Sequence, residues 1–268
     1  MNEIDTNVVA GMQTTRGAAV EQADVLVALE HVTVRFGDYT AVQDVSFEVR
    51  TGHFLSIVGP SGCGKSTLLN LVSGLSTPAT GSVRNAILER GERMGYMFQR
   101  DLLLDWRNVE QNVALGLEAQ GEARRVARQK AHDLLPAYGL EGFESFYPCQ
   151  LSGGMRQRAA FARTMSTDPP LLLLDEPFSA LDYQTKLKLE AELLASFRRS
   201  GGTAIMVTHD IDEAVAVSDV VLVMTGRPGR VAAVHEVPFA ASGLAPFEVR
   251  DAEGFGHYVR DIWREIES

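Results

Sequence analysis

The chain is poor in cysteine, with two, Cys63 and Cys149, in 268 residues. Two cysteines build no disulfide framework, and such usage fits a reduced, cytoplasmic setting. Long apolar runs are missing as well. The most apolar stretches, such as LLLLD and VVLVM, are a few residues long, whereas a membrane-crossing helix needs about 20. The opening segment, MNEIDTNVVAGMQTTRGAAVEQ, has neither a basic start nor a long apolar core, so it does not read as a secretory signal. Positive charge is the third shortage. Lysine and arginine number 25 against 35 acidic residues, a net charge of −10. Contacts to a phosphate backbone need a basic surface, so no nucleic-acid partner is expected. Internal repeats and low-complexity tracts are absent too.

What is there supports a folded core, because apolar residues make up 45% of the chain. The length suits one large domain or two small ones. Residues 1–24 are polar, alanine-rich and aperiodic, and read as a flexible tail. Order is predicted over 25–268. VALEHVTVRF and AVQDVSFEV alternate around a GDYT turn, as an antiparallel pair with one buried face does. FLSIVG, MGYMFQ, LLLLDEP, TAIMVTH and VVLVMTG are short apolar runs of strand type. Helical patterns lie between them, which implies a parallel α/β sheet. From about Leu103 to Thr167 only helical patterns occur. The expected organisation is therefore a core at about 25–99 and 168–225, an inserted helical subdomain at about 100–167, and a short C-terminal extension at 226–268. That extension should hold a turn (GRPGR), a strand (VAAVHEV) and an amphipathic helix.

GPSGCGKST, residues Gly59 to Thr67, carries the phosphate-loop spacing G-x-x-x-x-G-K-[ST] between an apolar strand and a helix. Gly59, Pro60 and Ser61 open the loop. Backbone N–H groups around Gly62, Cys63, Gly64 and Lys65 are placed to cradle phosphates. Lys65 should reach the β- and γ-phosphates, Ser66 should ligate Mg²⁺, and Thr67 lies beside the phosphates. Cys63 has two readings: a thiol made reactive by a helix start, or a small residue that fits the loop. LLLLDEP ends a buried strand with Asp175 and Glu176. Ligands in open α/β sheets bind at the carboxyl ends of strands. An aspartate there can hold Mg²⁺ through water, and a neighbouring glutamate can act as general base. His209 ends TAIMVTH one βαβ length later, which suits the next parallel strand and the same ligand edge.

A second phosphate-facing stretch, LSGG at Leu151–Gly154, follows roughly ninety residues after the first. Glycines ahead of a helix admit an anion. A plain serine N-cap would give the same pattern.

Together these motifs resemble the ATP-binding subunits of ABC transporters over about Leu29–Thr225. The order matches: phosphate loop, glutamine loop at Gln99, LSGG, LLLLDEP, SALD at Ser179–Asp182, and His209. The resemblance implies an enzyme that hydrolyses ATP with Mg²⁺. It implies a head-to-tail pair of identical chains, in which Ser152, Gly153 and Gly154 of one copy close on the γ-phosphate held by the other. Both loops serving one site within a single chain is the alternative. It also implies that Phe36, with Tyr39 as rival, stacks on adenine, and that Gln99 joins Mg²⁺ and the attacking water. Glu176 would be the base and His209 would contact the γ-phosphate. Asp182 would act across the dimer, or cap the helix that begins at Tyr183. LLLDWRNVEQNVALGLE and GRPGR resemble the nitrate, sulfonate and taurine group of bacterial importers. There the ATPase sits peripherally on the cytoplasmic face of the inner membrane, beside a separate permease that an external solute-binding protein feeds. Asp105 stands where this group commonly has proline, and Met155 follows LSGG; neither removes a catalytic group. With only the tail after Gly226, the sugar-phosphotransferase control of maltose-type ATPases, which uses a large regulatory domain, is not expected.

Overall fold

A computed structural model describes residues 25–239 and 242–267; the tail expected at 1–24 lies outside them. β1 (Val25–Phe36) and β2 (Tyr39–Arg50) pair antiparallel around Gly37 and Asp38. β3 (Phe54–Val58) runs into the phosphate loop and α1 (Lys65–Val72). β4 (Thr80–Asn85) then returns to pair antiparallel with β1, so the small sheet has three strands, ordered β2-β1-β4. The sequence reading gave two. TGSVRN is an edge strand whose residues are mostly exposed, so it lacks the apolar alternation that marks β1 and β2. α2 (Ala86–Glu89) and β5 (Gly95–Met97) follow.

The helical block comprises α3 (Val109–Val113), α4 (Leu115–Ala119), α5 (Arg124–Leu134) and α6 (Gly153–Met165). The chain then alternates: β6 (Leu171–Asp175), α7 (Tyr183–Ser200), β7 (Thr203–Val207), α8 (Ile211–Val217) and β8 (Val220–Thr225). β9 (Arg230–Glu236), α9 (Pro246–Val249) and α10 (Phe255–Glu267) complete it. The larger sheet is ordered β5-β6-β7-β3-β8-β9, parallel except for β9. No described helix is long and apolar enough to cross a membrane.

The unbroken apolar runs are explained by burial on both faces. In β6, Leu171 and Leu173 face the core shared with α1 and the small sheet, while Leu172 and Leu174 face the core shared with the helices. β7 divides Ile205 and Val207 from Ala204 and Met206 in the same way. A one-residue slip would exchange the two cores, so the register that brings the strand ends level is strongly specified.

Acids also interrupt the core: Asp175, Glu190 and Glu213 are buried, Glu190 most completely. Glu190 of α7 is 0% exposed. Burial pushes its carboxyl up to about 7, against the opposing pull of Arg250. The folded protein therefore holds a proton that the unfolded chain releases near pH 4.5, and stability should fall as pH rises from about 4.5 through 7. Denaturant midpoints across that range should slope downward, and less steeply in Glu190→Gln.

Candidate functional site

Four parallel strands deliver the site at their carboxyl ends. β3 leads to the phosphate loop, β5 to Gln99, β6 to Asp175 and Glu176, and β7 to His209. The loop is held by close backbone packing. Gly64, the N-cap of α1, has φ 94°, and a Cβ there would lie 2.5 Å from Val42 Cγ2 of β2. Glycine meets both demands. Lys65 is only 7% exposed, and its Nζ donates to the carbonyls of Gly59 (2.7 Å) and Pro60 (3.1 Å). Cys63 is fully buried and its thiol is raised by that burial, which favours the reading of a small residue fitted to the loop. Thr67 is half-buried in the first turn of α1.

Ser66 Oγ donates to Asp175 Oδ1 at 3.1 Å, although the residues lie on elements two strands apart. Burial raises the Asp175 carboxyl and the Ser66 bond opposes that rise. This hydroxyl–carboxylate pair is an oxygen donor set of the type a hard divalent cation takes. Glu176 stands next to it with a left-handed backbone, φ 48°. Its Oε2 accepts from Gln99 Nε2 at 3.4 Å and lies 3.3 Å from His209 Nδ1. Gln99 and His209, both placed at strand ends by the sequence reading, thus converge on the Glu176 carboxylate.

Phe36 (59% exposed) and Tyr39 (51% exposed) face each other across the β1–β2 turn. Ser152 caps α6, its Oγ accepting from Met155 N at 3.3 Å, with Gly153 and Gly154 in the first turn. Asp182 caps α7 through Thr185 N at 3.0 Å, and the Thr185 hydroxyl, then that N–H, hold its carboxyl below the usual range. Both capping readings hold in the single chain.

Two contributors escaped the sequence reading. Gln157, on the buried side of α6, donates to the carbonyls of Glu176 (3.3 Å) and Pro177 (2.9 Å). The available signal was a polar residue in helical phase with Ala160, Phe161 and Thr164, which are all buried. Arg227, in GRPGR, donates to Ser61 O at 2.8 Å and backs Gly62. Gly229 of the same turn packs so closely that a Cβ would overlap the Cys63 carbonyl. Gly229→Ala should therefore push the turn off the loop, lowering nucleotide affinity severalfold and stability by about 1–3 kcal/mol; paired titration and unfolding experiments read both.

The fold and the edge-clustered site define a P-loop nucleotide-binding α/β protein. The ABC transporter family model matches residues 42–179. An uncharacterized ABC transporter ATP-binding protein of Bacillus subtilis is 44% identical over 85% of this chain and 89% of its own length. The taurine import ATP-binding protein TauB of Escherichia coli is 41% identical over 77% of this chain and 82% of its own. The nitrate import ATP-binding protein NrtC of Synechococcus elongatus is 41% identical over 80% of this chain, which spans 34% of that longer protein. A solved dimeric bacterial ABC transporter cassette superposes with TM-score 0.71 at 31% identity, covering 79% of this chain and 98% of its own. The chain belongs to the ABC transporter family, as an ATP-binding cassette.

Proposed function

We propose that this chain is the ATP-hydrolysing subunit of an importer for a small anionic or organic solute of the nitrate, sulfonate or taurine kind. The convergence of Gln99 and His209 on Glu176, beside the Ser66–Asp175 pair, carries the proposal. In this reading the loop from Gly59 to Thr67 binds the phosphates, with Lys65 leaving its loop carbonyls for them. Phe36 supplies the adenine stack. Ser66 and Asp175, with Gln99, hold Mg²⁺, which when bound neutralises phosphate charge. Glu176 takes the proton of the attacking water, oriented by Gln99 and His209.

Two copies pair, as the solved dimeric cassettes support, and they do so head to tail, so that Ser152, Gly153 and Gly154 of each copy complete the other's site. Asp182 keeps its capping role beside that interface. A permease docks near Gln99 on the cytoplasmic side of the membrane, and an external binding protein delivers the solute to it. Residues 100–167 act as the inserted helical subdomain and 226–268 as a short extension.

Purification of the tagged chain from membranes in mild detergent tests this reading. A multi-spanning permease recovered at one copy per ATPase chain is the expected result. Recovery only from the soluble fraction, without such a partner, would overturn the importer role.

A further inference from the structure

Behind His209 lies a cluster of buried charge that the proposed chemistry does not use. Lys186, in the first turn of α7, is 14% exposed at its side chain. Its Nζ contacts Asp210 Oδ2 at 2.6 Å and Glu213 Oε2 at 2.8 Å. Asp210 follows His209 directly and caps α8, its Oδ1 accepting from Glu213 N at 3.0 Å. On the other side of His209, Thr208 Oγ1 accepts from Asp210 N at 3.0 Å and donates to Glu213 Oε2 at 3.2 Å. Both neighbours of the histidine are thus fastened to one short network centred on the Lys186 ammonium.

The network continues away from the site. Lys186 Nζ lies 4.0 Å from Glu190 Oε1 on its own helix. Glu190 Oε1 accepts from Arg250 Nη2 at 3.0 Å, and Arg250 Nη1 donates to Pro246 O at 2.9 Å. Where the Glu190 carboxyl is ionised, signs alternate from Asp210 through Lys186 and Glu190 to Arg250. Three acids share two cations, and all but Asp210 are of low exposure, where charge pairs are weakly screened. Glu176, Lys186, Thr208 and His209 also line a common cleft of about 260 Å³. Removing Lys186 leaves Asp210 and Glu213 facing each other without their cation, and like charges at such range separate or take up protons. Either response releases the loop that aims His209 at Glu176.

We propose that Lys186 is a positioning residue for hydrolysis, clamping residues 208–210 so that His209 stays on Glu176, and that Arg250 steadies the clamp through Glu190. The inference rests on the ATPase reading. It gives the C-terminal segment, through Arg250 and α9, a hold on the turnover rate without contact to nucleotide.

The test uses the full chain in the assembly where the natural protein hydrolyses ATP. Lys186→Met should lower kcat roughly 10- to 100-fold, the scale of a displaced catalytic group, with nucleotide affinity within about twofold because the phosphate loop is untouched. Lys186→Arg should recover most of the rate. Arg250→Met, at the outer end, should lower kcat by a smaller factor with KM unchanged, and it serves where Lys186→Met folds poorly. Lys186→Met should also add little to the loss in a His209→Ala background, measured by single turnover, since the two act in series. Normal kcat in both Lys186→Met and Arg250→Met would overturn the proposal. So would a parallel fall in affinity, or a Lys186→Arg variant as slow as Lys186→Met. A natural chain that binds ATP and never hydrolyses it would instead overturn the ATPase reading.

Discussion

Glu176→Gln should bind ATP and hold it unhydrolysed. Glutamine keeps the shape of the side chain and can still meet Gln99 and His209, which lie 3.4 and 3.3 Å from the Glu176 carboxylate. It cannot accept a proton. A positioned general base contributes about 10²- to 10⁴-fold, and turnover should fall by that factor while equilibrium binding of ATP stays near the natural value. Phosphate release and nucleotide binding, measured on the same preparation, separate the two quantities. Wild-type turnover in the variant would remove Glu176 from its role as base and leave the phosphate-loop assignment standing.

Lys65→Ala fails one step earlier. The lysine is buried among carbonyls of its own loop, and in the phosphate-loop reading it is the charged donor to the phosphates. A charge-assisted hydrogen bond is worth about 1.5–3 kcal/mol, so affinity for ATP should fall roughly 10- to 150-fold, with hydrolysis following the loss of bound substrate. The fold should survive, because alanine suits the first position of α1 and the loop carbonyls lose a donor rather than gain a clash. Affinity unchanged in this variant would count against the phosphate loop as the nucleotide site.

The parts legible in the sequence share a property. The phosphate loop, LLLLDEP and TAIMVTH each pair a buried strand with polar residues at its end, so chemistry and secondary structure are written side by side. β4 was hidden because an exposed edge strand carries no apolar period. Gln157, Lys186 and Arg227 were hidden because their partners are 20, 24 and 166 residues away in the chain. Nothing local marks a side chain whose meaning is set by a distant carbonyl or carboxylate. Asp182 and Ser152 were legible in two ways at once. The capping bonds that the structure shows in the single chain leave their roles toward a second copy as a matter of assembly.

α6 carries a consequence for how two sites would communicate. Its first turn holds Ser152, Gly153 and Gly154, and five residues after the cap Gln157 grips the peptide that bears Glu176. At about 1.5 Å of rise per residue, these two ends stand less than a nanometre apart on one rigid rod. In a head-to-tail pair, nucleotide pressing on the rod from the neighbouring copy would move Glu176 of the home copy. Rate against ATP concentration should then be sigmoidal, with a Hill coefficient above one, and a mixed pair with one copy disabled should run at well under half speed.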